Sequence, residues 1–341
     1  MPSIEIPASA MKAMPPQLTE MLDQVKSLVS ADILFFGVLF YLFSKAWNIL
    51  VFFYNHFLKS SLNFKKCYGS WAIVTGATDG IGKAMSHEFA KKGMNVLLIS
   101  RTQSKLDNCA KEMNDKYPNV EIKVLAVDFN EINDTDVRKR ISKYIKDLDV
   151  GVLVNNVGVS YEFPKFIHEL TDEESESLTV LNVDSTTWMT RLVLDGDNGM
   201  IARKTGAIVN ISSVAGVLTS PLLSHYGGAK GFIAQYSRAL HYELAPKGIH
   251  VQCQVPFFVT TKLAKLRKAS LTVASESQYA RAAIKAIGSS EPVLSPYWSH
   301  AIQFYLYNNF PEWIFAKVAN SMHLGIRKAG MKKKANASKK A

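Results

Sequence analysis

Between residues 70 and 255 the chain repeats one pattern, a short apolar run of about five residues followed by a stretch with helical spacing. The runs fall at 71–75, 95–100, 120–127, 151–155, 207–211 and 250–255. A strand with one wet face alternates apolar and polar residues, whereas a strand covered on both faces stays apolar throughout. Apolar runs separated by helices therefore predict a parallel sheet with helices on both sides. The expected fold class is α/β, a Rossmann-like doubly wound parallel sheet. Hydrophobic residues make up 48% and charged residues 20% of 341, which is enough to bury one large core.

The turn after the first run reads Thr75-Gly76-Ala77-Thr78-Asp79-Gly80-Ile81-Gly82 and leads into helical spacing. Glycine is needed where backbone turns sharply and must approach a pyrophosphate. The helix that follows offers free N–H groups and the positive end of its dipole. Strand, glycines and helix in this order predict a dinucleotide site at Gly76, Thr78, Asp79, Gly80, Ile81 and Gly82. The second run ends in Ser100-Arg101. An acidic residue there would hold the ribose hydroxyls of NAD and repel a 2′-phosphate. A serine and a bidentate cation instead favour that phosphate, so the expected cofactor is NADP(H). Asp79 in the glycine turn offers no cation to that phosphate, so selectivity rests mainly on Arg101.

The reactive side chains come later. Tyr226 and Lys230 are four apart and share one face of a helix. Ser213 precedes them at the end of a strand, and Asn182 lies further upstream. Reducing a ketone needs hydride at carbon and a proton at oxygen. A free phenol titrates near pH 10, and a neighbouring ammonium is expected to bring it toward neutrality, where a general acid works best. Ser213 can donate a hydrogen bond to a carbonyl oxygen as charge develops on it.

The three-residue gap between Gly76 and Gly80, then Gly-Ile-Gly, with Ser213, Tyr226 and Lys230 in order, resembles the short-chain dehydrogenase/reductase family. That resemblance implies that Lys230 also holds the nicotinamide ribose and that Asn182 positions a water between Lys230 and solvent. It places Asp128 at the adenine edge. It implies that Asn155-Asn156-Val157-Gly158 ties neighbouring strands together with backbone near the cofactor, which makes Asn155 and Gly158 cofactor residues without making Asn155 catalytic. After the sixth strand it puts Val259 and Thr261 near the nicotinamide carboxamide, although Phe257 replaces the usual glycine of that segment.

A narrower likeness rests on Ser160-Tyr161-Glu162-Phe163-Pro164, Pro256-Phe257-Phe258-Val259 and Pro296-Tyr297-Trp298-Ser299-His300. These resemble the branch of microsomal very-long-chain 3-oxoacyl-CoA reductases and type 12 17β-hydroxysteroid dehydrogenases. The resemblance implies an NADPH-dependent enzyme of fatty-acid elongation acting on long-chain 3-oxoacyl-CoA, with the other elongase enzymes as partners. A 17-ketosteroid substrate and a catalytically silent scaffold stay open as alternatives. An epimerase or dehydratase would need a different glycine spacing.

The ends of the chain add a membrane. Residues 33–54 are apolar and aromatic apart from Ser44, Lys45 and Asn48. At about 1.5 Å per residue a run of this length crosses the hydrocarbon layer. Lys59, Lys65 and Lys66 follow it, which points to a cytosolic catalytic domain on the endoplasmic reticulum membrane. The expected organisation is a polar lumenal segment 1–31, broken by Pro15 and Pro16, then a transmembrane helix 32–55 and a catalytic domain 65–290. An aromatic helical cap, 291–325, and a basic tail, 326–341, solvated and disordered from Lys332, complete it; residues 297–318 of the cap suit a helix lying on the membrane better than a short second span, with a substrate lid as a further alternative. Lys339 and Lys340 resemble a dilysine retrieval signal set one place too near the end. The net charge of +11 suits anionic lipid or an anionic ligand, and without zinc-finger spacing or an arginine-rich helix nucleic acid is not expected. Three scattered cysteines predict neither a disulfide framework nor a metal site.

Overall fold

The computed structural model describes residues 15–28, 31–264, 266 and 268–338. The Lys339–Lys340 pair and residues 1–14 of the N-terminal segment lie outside the described residues. The chain divides into two units, one ending at Leu58 and one beginning at Lys59.

In the first unit α1 (Pro16–Leu28) begins on Pro16. A start at Pro16 is compatible with the break expected at Pro15 and Pro16, because proline suits a first helical position, where its missing N–H has no partner to lose. Next, α2 (Ala31–Phe53) runs into a π-helical turn, Tyr54–Leu58. Over Ile33–Leu58 it is long and apolar enough to cross a membrane. Phe36, Phe40 and Phe43 are exposed along it. Lys45, the charge within the run, lies 5.1 Å from the Tyr41 ring centre, a contact that softens the cost of a cation there.

The second unit is a seven-stranded parallel sheet in the order β3-β2-β1-β4-β5-β6-β7. Its strands are β1 (Trp71–Thr75), β2 (Asn95–Ser100), β3 (Ile122–Ala126), β4 (Val150–Asn155), β5 (Gly206–Ile211), β6 (Ile249–Gln254) and β7 (Val293–Leu294). The two-residue β7 is too short to leave a pattern in the sequence. Helices α3 (Phe64–Cys67), α4 (Gly80–Lys91), α5 (Gln103–Lys116), α6 (Thr135–Ile145), α7 (Asp172–Thr179), α8 (Ser185–Leu194) and α9 (Met200–Arg203) lead to β5. Beyond it come α10 (Ser224–Leu244), α11 (Glu276–Ala286), α12 (Trp298–Asn309) and α13 (Glu312–Ser338).

The strand alternation sorts the core into two layers. Val74, Leu98 and Val154 pack with Met85 and Phe89 of α4 and Tyr279 of α11. Ile73, Leu97 and Leu153 pack with Ile141 of α6 and Leu240 of α10 on the opposite face. Each such side chain contributes about 1.5–3 kcal/mol by leaving water, and Phe89→Ala would cost about 3–5 kcal/mol. Strand order reverses between β1 and β4, and a doubly wound sheet opens a crevice at the carboxyl ends of the strands where its order reverses. At the C-terminus α13 continues as helix to Ser338, through residues where a disordered tail was expected.

Candidate active site

The glycine turn after β1 holds Gly76 at φ +64° and Gly80 at φ +56°, a region that favours glycine. A side-chain carbon on Gly82 would come within 2.5 Å of Asn156 Nδ2, so α4 can start this close to the turn only without one. Asn156 Nδ2 donates to Thr75 O at 3.0 Å, and Thr75 Oγ1 accepts from the N–H groups of Asn156 and Val157 at 3.0 and 3.1 Å. Asn156 thus fastens the end of β4 to the turn, a role that sequence reasoning did not single out. Asp79 caps α4 by accepting from Gly80 N at 2.9 Å and pairs with Lys262. Thr78 Oγ1 lies 3.0 Å from Ser100 Oγ, which joins the turn to the end of β2. Arg101 is 70% exposed beyond β2, 4.0 Å from Asp128. A cradle that tolerates no side chain at Gly82 fits the pyrophosphate of a nicotinamide dinucleotide.

Asn155 turns inward. Its Nδ2 donates to Asn210 Oδ1 at 2.8 Å and to Thr190 Oγ1 at 3.1 Å, so its side chain ties β4 to β5 and α8. Asn182 sits in a π-helical turn, Val180–Asp184, between α7 and α8. Turns of this kind aim a side chain that a regular helix would direct elsewhere. Its Nδ2 donates to Val159 O and Leu178 O, both at 2.9 Å, while the buried Oδ1 has no partner among the described residues.

Ser213 stands in extended backbone after β5, and its Oγ accepts from Ala215 N at 3.3 Å. Tyr226 and Lys230 lie near the start of α10 and are both buried. Ser213, Tyr226, Lys230 and Gly158 line one cleft of about 370 Å³. Lys230 Nζ donates to Ile211 O at 3.0 Å. Burial brings its ammonium down to about 8, with Cys253 opposing. The phenol of Tyr226 departs from expectation. Burial pushes it above its usual value, and a hydrogen bond with Ser213 only partly pulls it back. The lowering toward neutrality expected from Lys230 is absent from the protein's own groups, whose ammonium is engaged with a backbone carbonyl. At neutral pH the phenol therefore carries its proton.

Val259 and Thr261 line the same cleft. A side-chain carbon on Gly80 would meet Thr261 Cγ2 at 3.2 Å, so the loop after β6 closes onto the glycine turn. Phe257 packs between His300 and Tyr307, with ring centres 5.6 and 5.8 Å away, which explains why the usual glycine is dispensable here. The wall opposite the reactive groups was foreseen only in part, as the substrate lid considered for 297–318. Phe315, Val318, Ala319, Met322 and Ile326 of α13 face the cleft at helical spacing. Polar contacts fasten that helix, among them His323 Nδ1 to Pro221 O at 2.6 Å, Arg327 to Pro164 O at 3.2 Å, and Arg327 to Glu169 at 2.5 Å.

The sequence profile of short chain dehydrogenase matches residues 70–271. The very-long-chain 3-oxoacyl-CoA reductase of Homo sapiens is 41% identical over 267 residues, which cover 78% of this chain and 83% of that protein. The inactive hydroxysteroid dehydrogenase-like protein 1 of Homo sapiens is 39% identical over 278 residues, 80% of this chain and 82% of that protein. A short-chain dehydrogenase from Sphingobium yanoikuyae in complex with NADPH superposes with a TM-score of 0.59 at 26% identity, covering 71% of this chain and 96% of that one. The chain belongs to the short chain dehydrogenase family, in the branch that includes very-long-chain 3-oxoacyl-CoA reductases, and is an NAD(P)-dependent oxidoreductase.

Proposed function

We propose that the protein reduces long-chain 3-oxoacyl-CoA to 3-hydroxyacyl-CoA with NADPH, as a step of fatty-acid elongation alongside the other elongase enzymes. The observation that carries this reading is the cleft itself. One end is polar, with Ser213, Tyr226 and Lys230, and its walls are apolar, with Phe257, Phe315 and Met322. Such walls suit a hydrocarbon chain whose oxo group reaches the polar end.

A bound reduced nicotinamide supplies hydride to the carbonyl carbon. The protein supplies the rest. Gly76, Gly80 and Gly82 let backbone approach the pyrophosphate, and Arg101 meets the 2′-phosphate. Asp128, Gly158, Val259 and Thr261 border the dinucleotide. Ser213 donates to the carbonyl oxygen, and Tyr226 gives that oxygen its proton and becomes phenolate. The ammonium of Lys230 stabilises the phenolate, and Asn182 holds the water through which a proton returns.

Helix α2 anchors the protein in the endoplasmic reticulum membrane with the catalytic unit on the cytosolic side, where Lys59, Lys65 and Lys66 follow the span. The exposed Tyr305, Leu306, Phe310 and Trp313 at the junction of α12 and α13 rest on the lipid surface.

The test is reduction of 3-oxostearoyl-CoA against estrone by the full-length protein, with NADPH and with NADH. The expected result is turnover of the thioester with NADPH, and preferential turnover of estrone would overturn the reading. The resemblance to an inactive human protein favours one second reading, a silent scaffold. Tyr226→Phe separates the two, because a scaffold keeps its cellular role without the phenol.

A further inference from the structure

A second cavity, of about 1210 Å³, adjoins the cleft. Its walls come from α4, α5, the start of α11, the loop at Thr260–Lys262, and Lys333 near the end of α13. Thr261 lines both cavities, so the groove and the reactive cleft meet at that residue. The groove carries Lys83, Lys91, Lys116, Lys262, Arg281 and Lys333 against Asp79, Glu88, Glu112 and Glu276. Lys83 is neutralised by Glu112 at 2.6 Å and Lys262 by Asp79. That leaves Lys91, Lys116, Arg281 and Lys333 facing Glu88 and Glu276, a net positive basin. Arg101 and Asp128 do not line it, so the basin is separate from the position that selects the cofactor.

We propose that this groove binds the phosphorylated nucleotide end of the coenzyme A thioester, with the pantetheine arm crossing the Thr260–Lys262 loop to the cleft on the side away from the dinucleotide. The inference rests on the reductase reading above and specifies how its substrate is held. The match is one of chemistry along a line. The substrate is apolar in its acyl chain, neutral and hydrogen-bonding in its arm, and polyanionic at the 3′-phosphorylated ADP. The two cavities, which share Thr261 in their walls, are apolar at Phe315 and Met322, neutral at Thr261 and cationic at Arg281 and Lys333. Arg281 and Lys333 come from separate elements, α11 and α13, so a phosphate between them would be gripped from two sides. Both are exposed, which makes the attraction sensitive to salt.

The test uses full-length protein in detergent and the double variant Arg281→Glu, Lys333→Glu. Equilibrium binding of free coenzyme A should weaken by about tenfold or more, equivalent to about 1.4 kcal/mol, while NADPH binding is unchanged. KM for 3-oxostearoyl-CoA should rise by a similar factor at constant kcat. KM for the N-acetylcysteamine thioester of the same acid, which lacks the nucleotide, should not move. The milder Arg281→Gln, Lys333→Gln variant should fall between. Equal coenzyme A binding by wild type and variant would overturn the proposal, as would an equal loss of NADPH affinity. Loss confined to phosphatidylserine vesicles would overturn it in favour of lipid headgroups. A wild type that binds coenzyme A through these residues yet reduces no 3-oxoacyl-CoA would sink the reductase reading and leave the groove standing. Reduction of 3-oxostearoyl-CoA with the same KM in both forms would do the reverse.

Discussion

Asn182 and Lys230 face each other across Gly158: a side-chain carbon there would stand 2.6 Å from Asn182 Oδ1 and 3.2 Å from Lys230 Nζ. Among the described residues the amide oxygen has no partner, and the ammonium donates to Ile211 O. Gly158→Ala must therefore displace one of the two groups. In the proposed reaction a displacement of about 1 Å costs about 10²-fold in rate. We expect kcat to fall by about that factor with KM for NADPH changed less. A variant with wild-type kcat would show that neither group needs its present position.

The sheet and the glycine turn were legible because their causes are local. Trp71–Thr75 and Asn95–Ser100 are apolar runs whose ends coincide with the strands observed. The pairing of Asp79 with Lys262 was not legible, since it joins segments that only the fold brings together. The wall built by α13 was legible only as one alternative, a substrate lid over 297–318. Its stripe at Phe315, Val318, Met322 and Ile326 has helical spacing, but Pro311 and Glu312 before it and the lysines after it suggested a surface cap and a loose tail. The phenol of Tyr226 was misjudged for a related reason. Charges are visible in a sequence, but burial is not, and burial has the larger effect on this group.

Arg101 lies exposed beyond β2, its guanidinium 4.0 Å from the carboxylate of Asp128. Arg101→Ala removes the cation proposed to meet the 2′-phosphate. Charge-assisted contacts of this kind are worth about 1.5–3 kcal/mol, so kcat/KM for NADPH should fall by roughly 10–100-fold. The value for NADH should stay within about twofold. Steady-state kinetics with both cofactors decide it, and parallel losses would assign Arg101 a structural role.

Burial sets the ammonium of Lys230 to about 8 and the phenol of Tyr226 above its usual value. The amine is charged below pH 8 and neutral above it, while the phenol keeps its proton across this range. If the ammonium stabilises the phenolate, kcat/KM for the thioester is flat up to about pH 8 and declines above it. A decline beginning only above pH 10 would assign the limb to tyrosine instead.

His250 and His300 are both brought down to about 4, chiefly by burial. Each accepts a backbone N–H through its ring, His250 Nε2 from Gly288 at 3.2 Å and His300 Nδ1 from Phe257 at 3.4 Å, which a protonated ring cannot do. The unfolded chain takes up these protons near pH 6.5. Stability is therefore full above pH 6.5, declines as pH falls toward 4, and loses no more from these groups below that. Each histidine contributes about 3 kcal/mol to the decline. Chemical denaturation of the solubilised protein at pH 7 and pH 4.5 should show it. His300→Asn should shrink the difference between the two, and an unchanged difference would remove His300 as a cause.

Ala319 is the smallest side chain that α13 presents to the cleft, between Phe315 and Met322. Because Arg327 and His323 fasten the helix, added volume at Ala319 enters the cleft rather than pushing the helix away. Ala319→Phe should leave the reactive end intact and shorten the space for hydrocarbon. Misfitting a methylene or two in an apolar pocket costs about 1–3 kcal/mol, so kcat/KM for 3-oxostearoyl-CoA should drop by roughly 10–200-fold. Acetoacetyl-CoA, whose chain ends near the carbonyl, should be reduced at close to the wild-type rate. Equal losses on the long and short thioesters would mean that the acyl chain leaves the catalytic centre by another route.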